Sequence, residues 1–75
     1  MNTYTYYFRS RPDLTRPLPA QCSTVLVHRE PEWEPLLECE VYGYVRCSRR
    51  LPTADMAEHG LVDDPRNILA GVMLE

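Results

Sequence analysis

The sequence predicts one small α+β domain, an antiparallel sheet of three or four strands with one short helix. Three observations support this fold class. Two segments alternate between the two faces of a strand, a third segment has the residue pattern of a short capped helix, and the chain has only 75 residues. A chain of that length forms a single domain, residues 1–75, whose hydrophobic core is of marginal size.

The first predicted strand covers residues 3–10, where aromatic side chains recur at alternate positions. One face would carry Tyr4, Tyr6 and Phe8, and the other Thr5 and Tyr7. Residues 11–21 then contain three prolines, each of which lacks a backbone donor. We therefore expect a proline-rich surface loop over residues 11–21.

Residues 23–51 predict an antiparallel hairpin. Its first strand is Ser23–Arg29, and the acidic segment EPEWEP, residues 30–35, would form the turn because two prolines bracket it. Trp33 would fold back on the sheet from this turn. The second strand, Leu37–Leu51, alternates well but is long, so Gly43 is expected to form a bulge or a bend.

Residues 53–60 predict a short helix, with Thr53 as its N-cap and Gly60 as its left-handed stop. Asp63 to Asn67 then indicate a turn or a helix start. The apolar end of the chain, residues 66–74, would form a strand or a helix, and we favour a strand.

The net charge of −3 is unevenly distributed. Residues 30–44 contain five glutamates and no basic residue, whereas residues 45–50 contain three arginines. All eight basic residues are arginine. Since tyrosines accompany the arginines of residues 1–29 and 42–50, any binding function is expected to lie there.

Tyr42-Gly43-Tyr44-Val45 resembles the centre of the aromatic RNA-binding strand of RNA-recognition domains. However, Glu40 stands where those domains have a basic residue, and Cys47 where they have an aromatic one. The wider aromatic and arginine set remains the candidate interaction face. Its members are Tyr4, Tyr6, Tyr7, Arg9, Arg11, Tyr42, Tyr44, Arg46, Arg49 and Arg50.

Two functions fit this face. Tyrosine and arginine are the residue types that anchor protein interfaces, and they also stack on and neutralise single-stranded nucleic acid. An acidic chain, with a pI near 5.3, is at a disadvantage beside a polyanion. The sequence therefore favours a protein interface over a nucleic-acid interface.

A metal or thiol site is the third alternative. The candidate ligands lie far apart in the sequence. Five, ten and seven residues intervene between successive members of the set Cys22, His28, Cys39 and Cys47. Structural zinc sites use closer pairs. A catalytic pair of a cysteine with His28 or His59 would lack any feature that activates the thiol. We therefore expect no enzyme, no metal and no cofactor.

Three segments of the chain together resemble a known type of protein. They are R-x-R-P at residues 9–12, Y-G-Y-V-x-C-S-R-R-L at residues 42–51, and T-x-D-M-A-E-H-G-L at residues 53–61. With the preceding aromatic strand, they are similar to short, uncharacterised accessory proteins of conjugative and phage-like mobile elements in gut Firmicutes. The resemblance covers residues 4–12 and 42–62. It implies an association with mobile elements, but no particular biochemical activity.

The leading hypothesis is a non-enzymatic adaptor that binds another protein or a second copy of itself. Strand Tyr4–Phe8 or the apolar tail 68–74 would supply the shared edge of a homodimer. No segment is apolar enough to span a membrane or to serve as a signal peptide, and the odd number of cysteines does not form a disulfide framework. We therefore expect a cytoplasmic protein.

Overall fold

The computed structural model describes residues 3–67, which form a four-stranded antiparallel sheet and one short helix. The strands are β1 (Tyr4–Phe8), β2 (Cys22–Glu34), β3 (Cys39–Cys47) and β4 (Leu61–Asp63), and the helix α1 (Thr53–His59) precedes β4. Their order in the sheet is β2-β3-β1-β4. The predicted α+β fold class is confirmed, and residues 11–21 form the expected loop without regular structure.

The hairpin of β2 and β3 is confirmed, but the position predicted for its turn is wrong. Strand β2 continues through the EPEWEP segment, and the chain reverses over residues 35–38 instead. Glu34 organises this turn, since its carbonyl oxygen accepts hydrogen bonds from the amides of Leu37 and Glu38. Pro31 is tolerated because the pairing with β3 is interrupted between Val27 and Glu32, where a missing donor costs nothing.

The predicted position of Trp33 is also wrong. Trp33 belongs to β2, where it pairs with Glu40, and it is 63% exposed rather than folded back on the sheet. An indole on an edge strand has few neighbours to cover it, and its exposure adds apolar surface to this end of β2.

The hydrophobic core lies on one side of the sheet, which we call the core side. Its fully buried members are Tyr6, Phe8, Val45, Cys47, Leu51 and Leu61. Met56 from α1 and Leu18 from the proline-rich loop pack against them, so the helix and the loop cover this side of β1 and β3. The Tyr6 hydroxyl is satisfied by the backbone amide of Leu51, which donates to it over 2.9 Å.

The helix begins differently from the sequence-based prediction. Pro52 occupies the N-cap position, no side chain caps the helix, and Thr53 is its first residue. The amides of Asp55 and Met56 donate instead to the carbonyl oxygen of Pro52. At the other end, the prediction for Gly60 is confirmed, since its φ of 65° is left-handed.

Strand β4 was not predicted, and it changes which strands are edges. Leu61 to Asp63 pair with Phe8 to Tyr6, so β1 lies between β3 and β4. Strand Tyr4–Phe8 therefore cannot supply the shared edge of a dimer, and that expectation is wrong. The tail 68–74 lies outside the described residues, as does most of the predicted element at 66–74.

Within residues 3–67, no helix is both long enough and apolar enough to cross a membrane.

Candidate interaction surface

The ten candidate residues do not form one face, because the sheet separates them. Tyr6 pairs with Val45 on the core side, whereas Tyr7 pairs with Tyr44 on the opposite side, which we call the far side. The rings of Tyr7 and Tyr44 contact each other edge to face, with 6.5 Å between their centroids. Tyr6 and Tyr7 are both buried, so neither presents an open ring to a partner.

Gly43 divides the two remaining tyrosines of the candidate face. Its φ of 142° interrupts the alternation of β3, which agrees with the predicted bulge or bend, whereas the register shift opposite it places the extra residues in β2. Tyr42 consequently packs against the core cluster, while Tyr44 contacts Tyr7 on the far side. The expectation that Tyr42 and Tyr44 share a face is therefore wrong.

The half-buried tyrosines each carry an arginine on the ring. The guanidinium carbon of Arg11 lies 5.2 Å from the centroid of Tyr42, that of Arg46 5.2 Å from Tyr44, and that of Arg50 5.4 Å from Tyr4. Such cation–π contacts are each worth about 0.5–1 kcal/mol at exposed sites. One face of each ring is thus occupied from within the chain, which leaves less aromatic surface for stacking.

The arginines of the candidate face are all exposed, although several have partners inside the chain. Arg11 donates to the carbonyl oxygen of Arg29 in β2, and Arg50 donates to that of Asn67. Arg9 and Arg49 lie on the surface beyond the ends of β1 and β3. Their charges are distributed around the molecule rather than gathered on one side of the sheet.

Sequence reasoning missed a buried polar cluster that joins the chain after β4 to strand β1. Asp64 is fully buried, and its carboxylate accepts hydrogen bonds from the Tyr7 hydroxyl at 2.9 Å and from Arg66 Nη2 at 2.7 Å. It also accepts from the Arg66 backbone amide at 2.7 Å, as a helix N-cap residue does. The Asp-Pro-Arg-Asn pattern that indicated a helix start was the available signal.

Asn67 extends the pairing of β1 beyond the end of β4. Its side-chain oxygen accepts from the Thr5 amide at 2.9 Å, and its side-chain nitrogen donates to the Thr5 carbonyl oxygen at 2.7 Å. The amide side chain therefore takes the place of a strand residue opposite Thr5. This contact is structural, since Asn67 is 2% exposed and both of its polar atoms are satisfied.

Burial and hydrogen bonding shift the proton affinities in this cluster. Two effects raise the pKa of Tyr7 to about 12. Burial is the larger, and the hydrogen bond to Asp64 is the second. Burial also acts to raise the pKa of Asp64, but the hydrogen bonds from Arg66 and Tyr7 outweigh it, so that pKa lies below its ordinary value. The cluster therefore holds a charged Asp64 beside a neutral Tyr7.

A second feature, the outer edge of β2, combines length with exposed apolar side chains. Strand β2 has one neighbour, β3, in the part of the chain that the structure describes. Val25, Leu26 and Val27 are 42%, 42% and 37% exposed. Val25 pairs with the buried Val45, and Leu26 with Tyr44, so apolar side chains are exposed on both sides of this strand.

The cysteines and histidines proposed for a metal site are spread along the hairpin. Cys22 and Cys47 are direct partners across β2 and β3, whereas Cys39 lies at the other end of β3 opposite Glu34. His28 Nδ1 lies 3.4 Å from Glu32, and His59 Nε2 lies 3.2 Å from Glu58. Over residues 3–67, no three His, Cys, Asp or Glu side chains come close enough to hold a metal ion.

Comparison with models of known protein families, with curated proteins and with solved structures gave no match for this chain.

Proposed function

We propose that this chain is a non-enzymatic protein-binding module whose partner is a second copy of itself, bound along the outer edge of β2. The observation that carries the proposal is the run of three exposed apolar side chains, Val25 to Val27, in the middle of a 13-residue edge strand. A homodimer formed in this way would join two four-stranded sheets into one continuous sheet.

Unprotected edge strands are rare in monomers, because their free backbone groups can pair with another chain. Charged side chains, prolines or bulges usually block such pairing. Residues 24–27 contain no charged residue, no proline and no register shift, and the apolar side chains among them are already exposed. A partner that covers them would remove apolar surface from water and satisfy backbone donors and acceptors together.

Charge complementarity favours a second copy of the chain as that partner. The glutamates of residues 30–40 lie at one end of the sheet, and Arg46 lies beside Thr24 at the other end. A twofold axis near Leu26 would place β2 antiparallel to its copy, with the acidic end of each chain toward the basic end of the other. This arrangement would place Glu30 of each chain opposite Cys22 of the other, near its Arg46, and would bring Arg29 opposite Ser23 at the same end.

The homodimer predicts a specific effect of a charge at the centre of the edge. The wild-type chain is expected to sediment at twice its own mass at micromolar concentrations, and Leu26→Lys to sediment as a monomer. The reason is that two lysines would meet at the twofold axis in place of two leucines. Analytical ultracentrifugation over a concentration series measures both masses.

The matched control is Leu14→Lys, which changes another exposed leucine, one that lies in the loop. The loop residues on either side of Leu14 line a hollow with the C-terminal end of α1, and none of the residues that line it belongs to β2. This variant should remain a dimer. A wild-type chain that stays monomeric, or a Leu26→Lys variant that stays dimeric, would refute pairing through β2.

Binding of single-stranded nucleic acid is the alternative function, and the exposure of all five candidate arginines is the observation in its favour. Against it, Tyr6 and Tyr7 are buried, and arginines already cover one face of the other three rings. We expect no change in the fluorescence anisotropy of labelled oligonucleotides at low salt. Binding that Tyr44→Ala and Arg46→Ala abolish would establish the alternative instead.

The context expected from the sequence belongs to the same proposal. We propose a small self-associating adaptor that acts in the cytoplasm and is encoded by a mobile element. The resemblance of residues 4–12 and 42–62 supports the mobile-element context, and the outer edge of β2 supports the self-association.

A further inference from the structure

The first residue of β2 and the last residue of β3 are both cysteines, and they face each other. Cys22 and Cys47 are direct register partners, and their Sγ atoms are 3.2 Å apart. Cys47 is fully buried in the core, whereas Cys22 is half-buried at its margin. The third cysteine, Cys39, is at the far end of β3, so it cannot take part in this contact.

We propose that Cys22 and Cys47 form an oxidisable dithiol, which a hydroperoxide converts into a disulfide across the two strands. Opposite residues of antiparallel strands have Cα atoms about 4.5–5.5 Å apart, within the range of about 4.4–6.8 Å that disulfides require. The sulfur atoms must approach by only about 1 Å to reach the bond length of about 2.05 Å.

The local backbone can accommodate that approach. The register of β2 shifts between Cys22 and Thr24, so Ser23 is an extra residue that follows the cysteine directly. A bulge of this kind lets one strand adjust without moving the rest of the ladder. Cys22 also follows the proline-rich loop, where its amide bonds to the carbonyl oxygen of Pro19.

The two thiols have different roles in the reaction because they differ in exposure. The thiolate of Cys22 attacks one oxygen of hydrogen peroxide, the O–O bond breaks, and Cys22 becomes a sulfenic acid. The hydroxide that leaves takes up the proton that the Cys22 thiol had lost, and one water is released. Cys47 Sγ then attacks the sulfur of Cys22, and the sulfenic hydroxyl leaves with the thiol proton of Cys47 as a second water. Two electrons pass from the two thiols to the peroxide, and one S–S bond forms.

The environment of Cys47 supports its role as the second thiol to react. Burial, followed by its hydrogen bond with Cys22, raises the pKa of Cys47 to about 12. A protonated, buried thiol is a poor first nucleophile. It becomes competent once an electrophilic sulfur lies beside it, and Cys22 is the sulfur that the structure places there.

The test uses the purified full-length chain in its reduced form. After treatment with hydrogen peroxide, unfolding and alkylation, mass spectrometry should show the loss of two hydrogen atoms, one alkylated cysteine at position 39, and a linked pair of peptides containing Cys22 and Cys47. Dithiothreitol should restore three alkylated cysteines. The oxidised chain should also melt at a temperature higher by at least about 5 °C, because the bond closes a long loop of the unfolded chain.

Two variants serve as controls. Cys39→Ser should still lose two hydrogen atoms, and Cys22→Ser should lose none. A cross-link that involves Cys39, or a wild-type chain in which Cys22 accumulates as a sulfinic acid without a cross-link, would overturn the proposal. The mass measurement does not depend on dimer formation, so it stands apart from the result for Leu26→Lys.

Discussion

Replacing Gly43 with alanine is expected to lower the free energy of unfolding by about 3 kcal/mol or more. An added Cβ would overlap the carbonyl oxygen of Leu26 and approach the Cα of Val27 to 2.9 Å, so backbone atoms of β2 would have to move. The φ of 142° adds strain, because residues with a side chain rarely adopt it. Urea-induced unfolding, followed by far-ultraviolet circular dichroism, measures the loss.

Gly60→Ala is the matched control for this prediction. Gly60 also has a positive φ, of 65°, but an added Cβ there would meet only the Ser10 side-chain oxygen at 2.7 Å, and that side chain can rotate away. The expected loss is about 1 kcal/mol, the ordinary cost of alanine in a left-handed position. Equal losses for the two variants would show that contact with β2 does not restrict Gly43.

Gly43 also explains a difference between two sequence-based predictions. The alternation of residue types predicted where the strands lie better than it predicted which side of the sheet each side chain occupies. Tyr4, Tyr6 and Phe8 occupy one side of β1 as their spacing indicated, because β1 is regular. In β3, alternation holds from Tyr44 to Cys47 and fails across Gly43. The sequence indicated a bulge or a bend at Gly43, but only the backbone geometry there shows that the side chains beyond it change sides of the sheet.

Strand β4 and the true turn of the hairpin could not be predicted for a different reason. A three-residue strand such as Leu61–Asp63 is too short to display a period, and it exists because β1 offers it a partner. The two prolines around Trp33 indicated a turn, yet β2 is an edge strand, where a proline is tolerated. Both errors come from neighbours in space that local patterns do not record.

The candidate interaction face was likewise limited by long-range contacts. The residue types in the sequence led to arginines that are exposed and to tyrosines that lie near them. Three arginine–tyrosine pairs are in contact in the structure. The residue types could not indicate that Tyr6 and Tyr7 are buried. Residue types also could not identify the outer edge of β2 as a surface. Val25 and Val27 have the pattern of core residues, yet both are exposed, because no described residue covers them.

Asp64→Ala is expected to lower the free energy of unfolding by about 3 kcal/mol. The substitution removes the acceptor for the Tyr7 hydroxyl, the side chain of Arg66 and the Arg66 amide, and it leaves the buried Tyr7 hydroxyl with the exposed Arg66 guanidinium beside it. Chemical unfolding at neutral pH measures the loss. Asp63→Ala is the control, since Asp63 is exposed and accepts one hydrogen bond, from Asn67, and it should cost less than about 1 kcal/mol.

The acid sensitivity of the fold provides a second measure of the Asp64 cluster. Because hydrogen bonds lower the pKa of Asp64 in the folded chain, the unfolded chain binds this proton more readily. Its contribution to stability is therefore complete above the unfolded pKa of about 3.9 and is lost as the pH falls through the lower, folded pKa. The wild-type chain should lose stability over this range more steeply than Asp64→Asn, which has no carboxylate to protonate at that position. Parallel pH profiles for the two chains would show that Asp64 does not carry a charge that the fold stabilises.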